Sequence, residues 1–296
     1  MEKSLNLDIP EKVSEFEMLI KKVLPKDIAY RITKSKGLEF DSYRDFSQGD
    51  DASYIDWKAS ARSNKLMAKQ YIEERELKIL LVIDISDNMV FGSSEKLKCE
   101  YVAELSSALI HLMLISGESV GFILFNNDLV KTYLPKPGKK QFDIFVYEIS
   151  DPNNYGGTSD WNNVLNKLSE ILNNSLSLII LISDFIGLNE SSREYIKLFS
   201  GFSETIAIMV RDPLDDDLPN LNKEVIIENP QTGQKMLINP QIAKKAYYKN
   251  VLIQKKMIKN LFNDTGIDFV ELKTNVSFGI ELVSFLKERA KGRGLF

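Results

Sequence analysis

The 296-residue chain has one cysteine, Cys99, and one histidine, His111. A lone thiol excludes an internal disulfide, and so few soft donors leave nothing from which to build a zinc site. Cys99 lies between Lys98 and Glu100 on a helical pattern and reads as a packed thiol. His111 falls mid-helix and reads as a packed side chain, not an acid or base. Long apolar runs are missing too. Leu105 to Ile115 and Leu176 to Ile182 are the longest, well short of the ~20 residues that a membrane-crossing helix needs. No sign of charge dominates: 38 basic residues stand against 42 acidic ones, so there is no broad basic surface for nucleic acid. The opening, "MEKSLNLDIPEKVSEFEMLIKKVL", alternates acids with lysines around no apolar core, unlike a secretory leader, and the protein is expected in the cytoplasm.

What is present is a regular alternation. Apolar residues make up 44% of the chain, enough for a buried core. The strands "ELKILLVID", "ESVGFILF", "LSLIILISD", "ETIAIMV" and "GIDFVEL" are separated by helical patterns, among them a long amphipathic one from Leu97 to Ser116 that Gly117 ends. "DLVKTYLP" follows Asn126-Asn127, a turn pair, and reads as an antiparallel edge strand. The pattern predicts an α/β fold, a doubly wound and mostly parallel sheet. The expected organisation is an N-terminal helix with a charged segment over 1–75, the main domain over 76–212, a β-hairpin and helix insertion over 213–263, and the last strand and helix over 264–296.

In such sheets ligands sit beyond the carboxyl ends of the strands. Two central strands finish there with an acid, Asp84 and Asp184. "DISDN" puts oxygen-bearing side chains at alternate positions, Asp84, Ser86 and Asn88, and "GGTSD" offers Thr158 behind two glycines. A set of hard oxygen donors suits Mg²⁺, Mn²⁺ or Ca²⁺. The same residues also fit ordinary turns, in which the Asp accepts backbone N–H bonds.

At these residues the chain resembles a von Willebrand factor A-type domain with a metal-ion-dependent adhesion site. The resemblance implies Asp84, Ser86, Thr158 and Asp184 as ligands, with Asn88 standing where the pattern has a second serine. "GLEFDSYRDFSQGDDASYIDWKASAR", Gly37 to Arg62, is similar to the signature of the bacterial family known as domain of unknown function 58, and "KLKCEYVAELSSAL", "GGTSDW", "LISDF" and "RDPLDDDLP" add to the match. That family implies a partner, a MoxR-type AAA+ ATPase or a client protein carrying an acidic residue, and no established reaction. The charged signature is expected to form a clasp held by Glu39, Asp41, Arg44, Asp50, Asp56 and Arg62, with Trp57 as its apolar anchor. The functional expectation is a non-catalytic adaptor with a Mg²⁺ site. Its rivals are a metal-dependent phosphohydrolase and an interaction protein with a degenerate metal site. A basic helix carrying Lys244, Lys245, Lys249, Lys255, Lys256 and Lys259 offers a further surface for an acidic partner.

Overall fold

The computed structural model describes residues 4–23, 38–47, 50–73, 76–171, 175–229 and 232–292. They fall into two units, Met1–Thr33 with Leu77–Phe296, and Lys34–Glu76.

The larger unit is built on a six-stranded sheet. Its strands are β3 (Lys78–Asp84), β4 (Ser119–Phe125), β5 (Leu129–Lys136), β6 (Leu178–Ser183), β7 (Glu204–Arg211) and β10 (Asp268–Lys273), in the order β10-β7-β6-β3-β4-β5. All neighbours are parallel except β4 and β5, the hairpin that Asn126-Asn127 predicts. β3 and β4 run as unbroken apolar stretches because both faces of the sheet are covered. This is the mixed α/β architecture that the sequence predicts, and the A-type resemblance implies the same arrangement.

One face carries α1 (Ile9–Val23), α3 (Lys98–Ile115), α4 (Lys139–Ser150) and α9 (Phe278–Gly292), whose apolar sides meet Leu81, Ile83, Phe122 and Ile208. The other carries α5 (Trp161–Ile171), α6 (Arg193–Phe202) and α8 (Pro240–Asp264) around Val82, Ile123, Leu181 and Phe262. α1 buries Phe16 and Ile20 in the first of these cores. It therefore belongs to the large unit, although sequence order groups it with the charged segment.

A short turn of helix, α7 (Pro213–Asp216), follows β7, and a hairpin of β8 (Val225–Glu228) and β9 (Lys235–Ile238) precedes α8. The hairpin exposes Ile226, Met236 and Leu237.

The smaller unit is not a plain charged loop. β1 (Leu38–Asp45) and β2 (Met67–Glu73) pair antiparallel, and α2 (Trp57–Ser63) lies between them in sequence. Asp56 starts α2 by accepting the backbone N–H groups of Lys58 and Ala59, and Asn64 ends it in the left-handed conformation.

Candidate ligand-binding edge

β3 and β6 are adjacent, with Ile83 opposite Ile182, so their carboxyl ends deliver Asp84 and Asp184 side by side. Both carboxylates are buried, as are Ser86 and Asn88. Asp84 accepts the Ser86 backbone N–H through Oδ1 at 2.9 Å and the Ser183 hydroxyl through Oδ2 at 2.6 Å. Burial, with the charge of Asp184 added, pushes its pKa up to about 6 against those bonds. Asp184 Oδ1 accepts the Ile186 N–H at 2.9 Å. The backbone between them is turned sharply: Phe185 has φ 55°, in the left-handed region that a side chain this large seldom enters.

The third loop reaches the same edge through its backbone. Asp87 donates to the Gly157 carbonyl at 2.9 Å, and Gly156 donates to the Ile85 carbonyl at 2.8 Å. Gly157, at φ 84°, leaves room for the Asn126 amide, which a Cβ would meet at 2.8 Å. Thr158 itself is exposed. Asp84, Ser86, Asn88 and Asp184 thus form a buried group, with Thr158 on the exposed loop beside it.

Two residues outside the predicted set complete the edge. Lys98, on the first turn of α3, is only 1% exposed, and its ammonium donates to Asp184 Oδ2 at 2.7 Å and to Asp215 Oδ2 at 3.0 Å. Burial alone would lower the Lys98 pKa, but the charges of Asp184 and Asp215 outweigh it and raise the value. Asp215 also accepts the Asp212 backbone N–H, and the shared Lys98 ammonium links "RDPLDDDLP" to the end of β6. A helical count places Lys98 on the same stripe as the buried Val102, Leu105 and Leu109. That signal was available in the sequence.

Beside Asp215 lies a cleft of about 390 Å³ lined by Ile186, Arg211, Tyr247, Asn250, Val251 and Gln254. Arg211 is 2% exposed. Its Nη2 donates to the Asp215 carbonyl at 2.9 Å, and its Nε lies 3.6 Å from Asp216. Nε and Nη1 are buried and make no hydrogen bond among the described residues. Asp216 is held more closely by Lys255 at 2.6 Å and Lys273 at 2.8 Å. Lys255 therefore serves an internal network, not the open basic face that its helix suggests.

The divalent ion implied by the A-type resemblance would draw its oxygens from this edge. As arranged, the residues do not fit one: Asp184 already holds an ammonium. Among the described residues, no three acidic, imidazole or thiol side chains converge as they would around a single ion. The Ser86 hydroxyl, near enough to Asp84 to help lower its pKa, and the Asn88 amide nitrogen make no hydrogen bond of ordinary geometry among the described residues.

In the signature unit, Arg44 and Asp50 form a bidentate pair at 2.5 and 2.7 Å. Asp56 adds Tyr43 at 3.1 Å and Lys69 at 3.4 Å to its capping bonds. Arg62 is exposed in the last turn of α2. Glu39 and Asp41 lie on β1, their side chains outside the described set, as is Gly37. Trp57 is not the buried anchor that the sequence suggests. It opens α2 and is 69% exposed, because the first turn of a helix capped by Asp56 points its side chain to solvent.

The family profile described as protein of unknown function DUF58 matches residues 42–257. The chain belongs to this family. Over 259 residues this DUF58 protein is 22% identical to an uncharacterized protein of Mycobacterium tuberculosis (strain ATCC 25618 / H37Rv), which covers 86% of this chain and 81% of that protein. Among solved structures it is similar to the conserved hypothetical protein BatB from Bacteroides thetaiotaomicron, with a TM-score of 0.48 and 15% identity over 73% of this chain and 99% of that one. It is also similar to a von Willebrand factor type A protein from Catenulispora acidiphila, with a TM-score of 0.37 and 11% identity over 49% and 35% of the two chains. No helix among the described residues is long and apolar enough to cross a membrane.

Proposed function

We propose that this DUF58 chain is a non-catalytic, cytoplasmic interaction module. It docks an acidic side chain of a protein partner at the carboxyl edge of its sheet, the partner being a MoxR-type AAA+ ATPase or that ATPase's client. The observation that carries this reading is the cleft at Arg211. Arg211 lines that cleft at the edge, and its guanidinium supplies a positive charge that complements a carboxylate. The ATPase as partner follows from the family resemblance.

The other chemistry-bearing groups support binding over turnover. Burial pushes the Cys99 thiol up to about 12, which keeps it protonated and unreactive. His111 packs edge-on against Phe142 at 5.1 Å. Asp84 and Asp184 are held by backbone, serine and lysine donors. Within the signature unit, the Arg44–Asp50 pair and the Asp56 cap fix the loop before α2 and the start of that helix.

Titrating the purified ATPase from the same genome onto the chain, by calorimetry, tests the reading. Saturable binding is expected, weakened roughly tenfold by Asn250→Glu, which sets a like charge at the mouth of the cleft. Two results overturn it: no binding, or hydrolysis of phosphate esters with Mn²⁺ that Asp184→Asn abolishes.

A further inference from the structure

We infer that Lys98 is the resident cation of this edge. Its ammonium takes the neutralising role that a divalent ion has in a metal-dependent A-type site, so the edge assembles without Mg²⁺, Mn²⁺ or Ca²⁺. This rests on the docking reading and deepens it, because a fixed lysine that neutralises Asp184 and Asp215 leaves the edge less repulsive to a partner's carboxylate.

Three observations meet here. The Lys98 side chain is 1% exposed and Asp184 is 0% exposed, so water takes little part in their contact. The ammonium donates to Asp184 at 2.7 Å and to Asp215 at 3.0 Å, and it lies 5.8 Å from the centre of the Phe91 ring, whose face attracts a cation. Finally, the three contacts come from separate parts of the chain: the loop after β3, the end of β6 and the turn after β7. A metal ion in such a site joins loops in the same way.

Electrostatics makes lysine and metal alternatives. An ammonium left unpaired in a dry interior is strongly unfavourable, so Lys98 needs both carboxylates. A divalent ion on Asp184 Oδ2 would face the ammonium across a short gap in low dielectric, where like charges repel most. The tether also favours lysine. It is attached to α3 and present at a high effective concentration, whereas Mg²⁺ must first shed tightly held water.

The test reads metal response alone, so its failure and the failure of partner docking are distinguishable. EDTA-stripped wild-type protein is melted with millimolar MgCl₂ or MnCl₂ against NaCl of equal ionic strength, and Mn²⁺ is titrated by calorimetry. The wild type is expected to show no metal-specific shift and no binding heat. Lys98→Ala is expected to melt lower and to regain stability specifically with Mg²⁺ or Mn²⁺. Lys98→Arg, which keeps a cation, is expected to ignore both metals. Metal stabilisation of the wild type that Asp184→Asn removes would overturn the inference. So would a folded Lys98→Ala protein that responds no more than the wild type. If Lys98→Ala does not fold, the wild-type titration and Lys98→Arg decide the question by themselves.

Discussion

Lys98 meets Asp184 and Asp215 with almost no solvent in reach, whereas Arg44 meets Asp50 in a bidentate pair whose side chains are 44% and 21% exposed. The second pair has the better hydrogen-bond geometry, two parallel N–H donors on one carboxylate. Geometry does not decide which matters more. Water screens the exposed pair and solvates either partner if the other is removed, so the pair stabilises little. In the buried cluster, losing one member leaves a charge that nothing else can solvate. The two signature stretches therefore act differently: one is structural wiring, and the other shapes a local surface.

The largest effect should come from Lys98→Met. Breaking a buried ion cluster costs about 3–5 kcal/mol, and a domain this size loses ~2–4 °C per kcal/mol, so the melting temperature should fall by roughly 10 °C. A fall no greater than that of Arg44→Met would erase the contrast between the two clusters. Asp56→Ala should have a more local consequence. With the cap gone, the amides of Lys58 and Ala59 should exchange hydrogen faster by mass spectrometry while the global melt hardly moves; unaltered exchange would mean that the cap does not hold α2.

Acid should separate the regions further. Arg44, aided by the Ser47 amide, holds Asp50 down to about 2, and the Ala59 amide, with Tyr43 and Lys69, does the same for Asp56. Carboxylates depressed in this way contribute stability that is present above the usual value near 3.8 and lost as pH falls through about 2. Exchange in 50–63, expressed relative to the intrinsic rate of an unstructured amide at each pH, should stay flat from neutrality to about pH 4 and rise below it. A rise that begins near neutrality would contradict the assigned partners. The smallest effect belongs to Trp57→Ala, expected within ~0.5 kcal/mol of the wild type in denaturant melts because the ring is exposed.

The main domain was legible because its strands are continuous apolar runs and its helices are amphipathic, so period alone separated "KILLVID" from "KCEYVAELSSALI". Asp84, Ser86, Asn88 and Asp184 were legible for a topological reason, since adjacent parallel strands must deliver their last residues to one edge. Lys98 and Asp215 were missed because a lysine reads as solvent-facing by default, and only its place on the buried stripe with Val102 and Leu105 argues otherwise. The β1–β2 hairpin was hidden by composition. Its strands mix charges with aromatics, so no alternation stands out. Trp57 misled for the opposite reason: a large apolar ring suggests burial, but the Asp56 cap fixes where α2 begins and hence which way the ring points.

The spacing of the Lys98 contacts has a consequence for biogenesis. Asp184 lies 86 residues downstream and Asp215 lies 117 residues downstream, so during translation the lysine leaves the ribosome well before either counter-charge exists. Until β6 and β7 have joined β3, α3 must keep that end hydrated. Closure of this corner is thus a late step, a latch that catches only when most of the polypeptide has already been made.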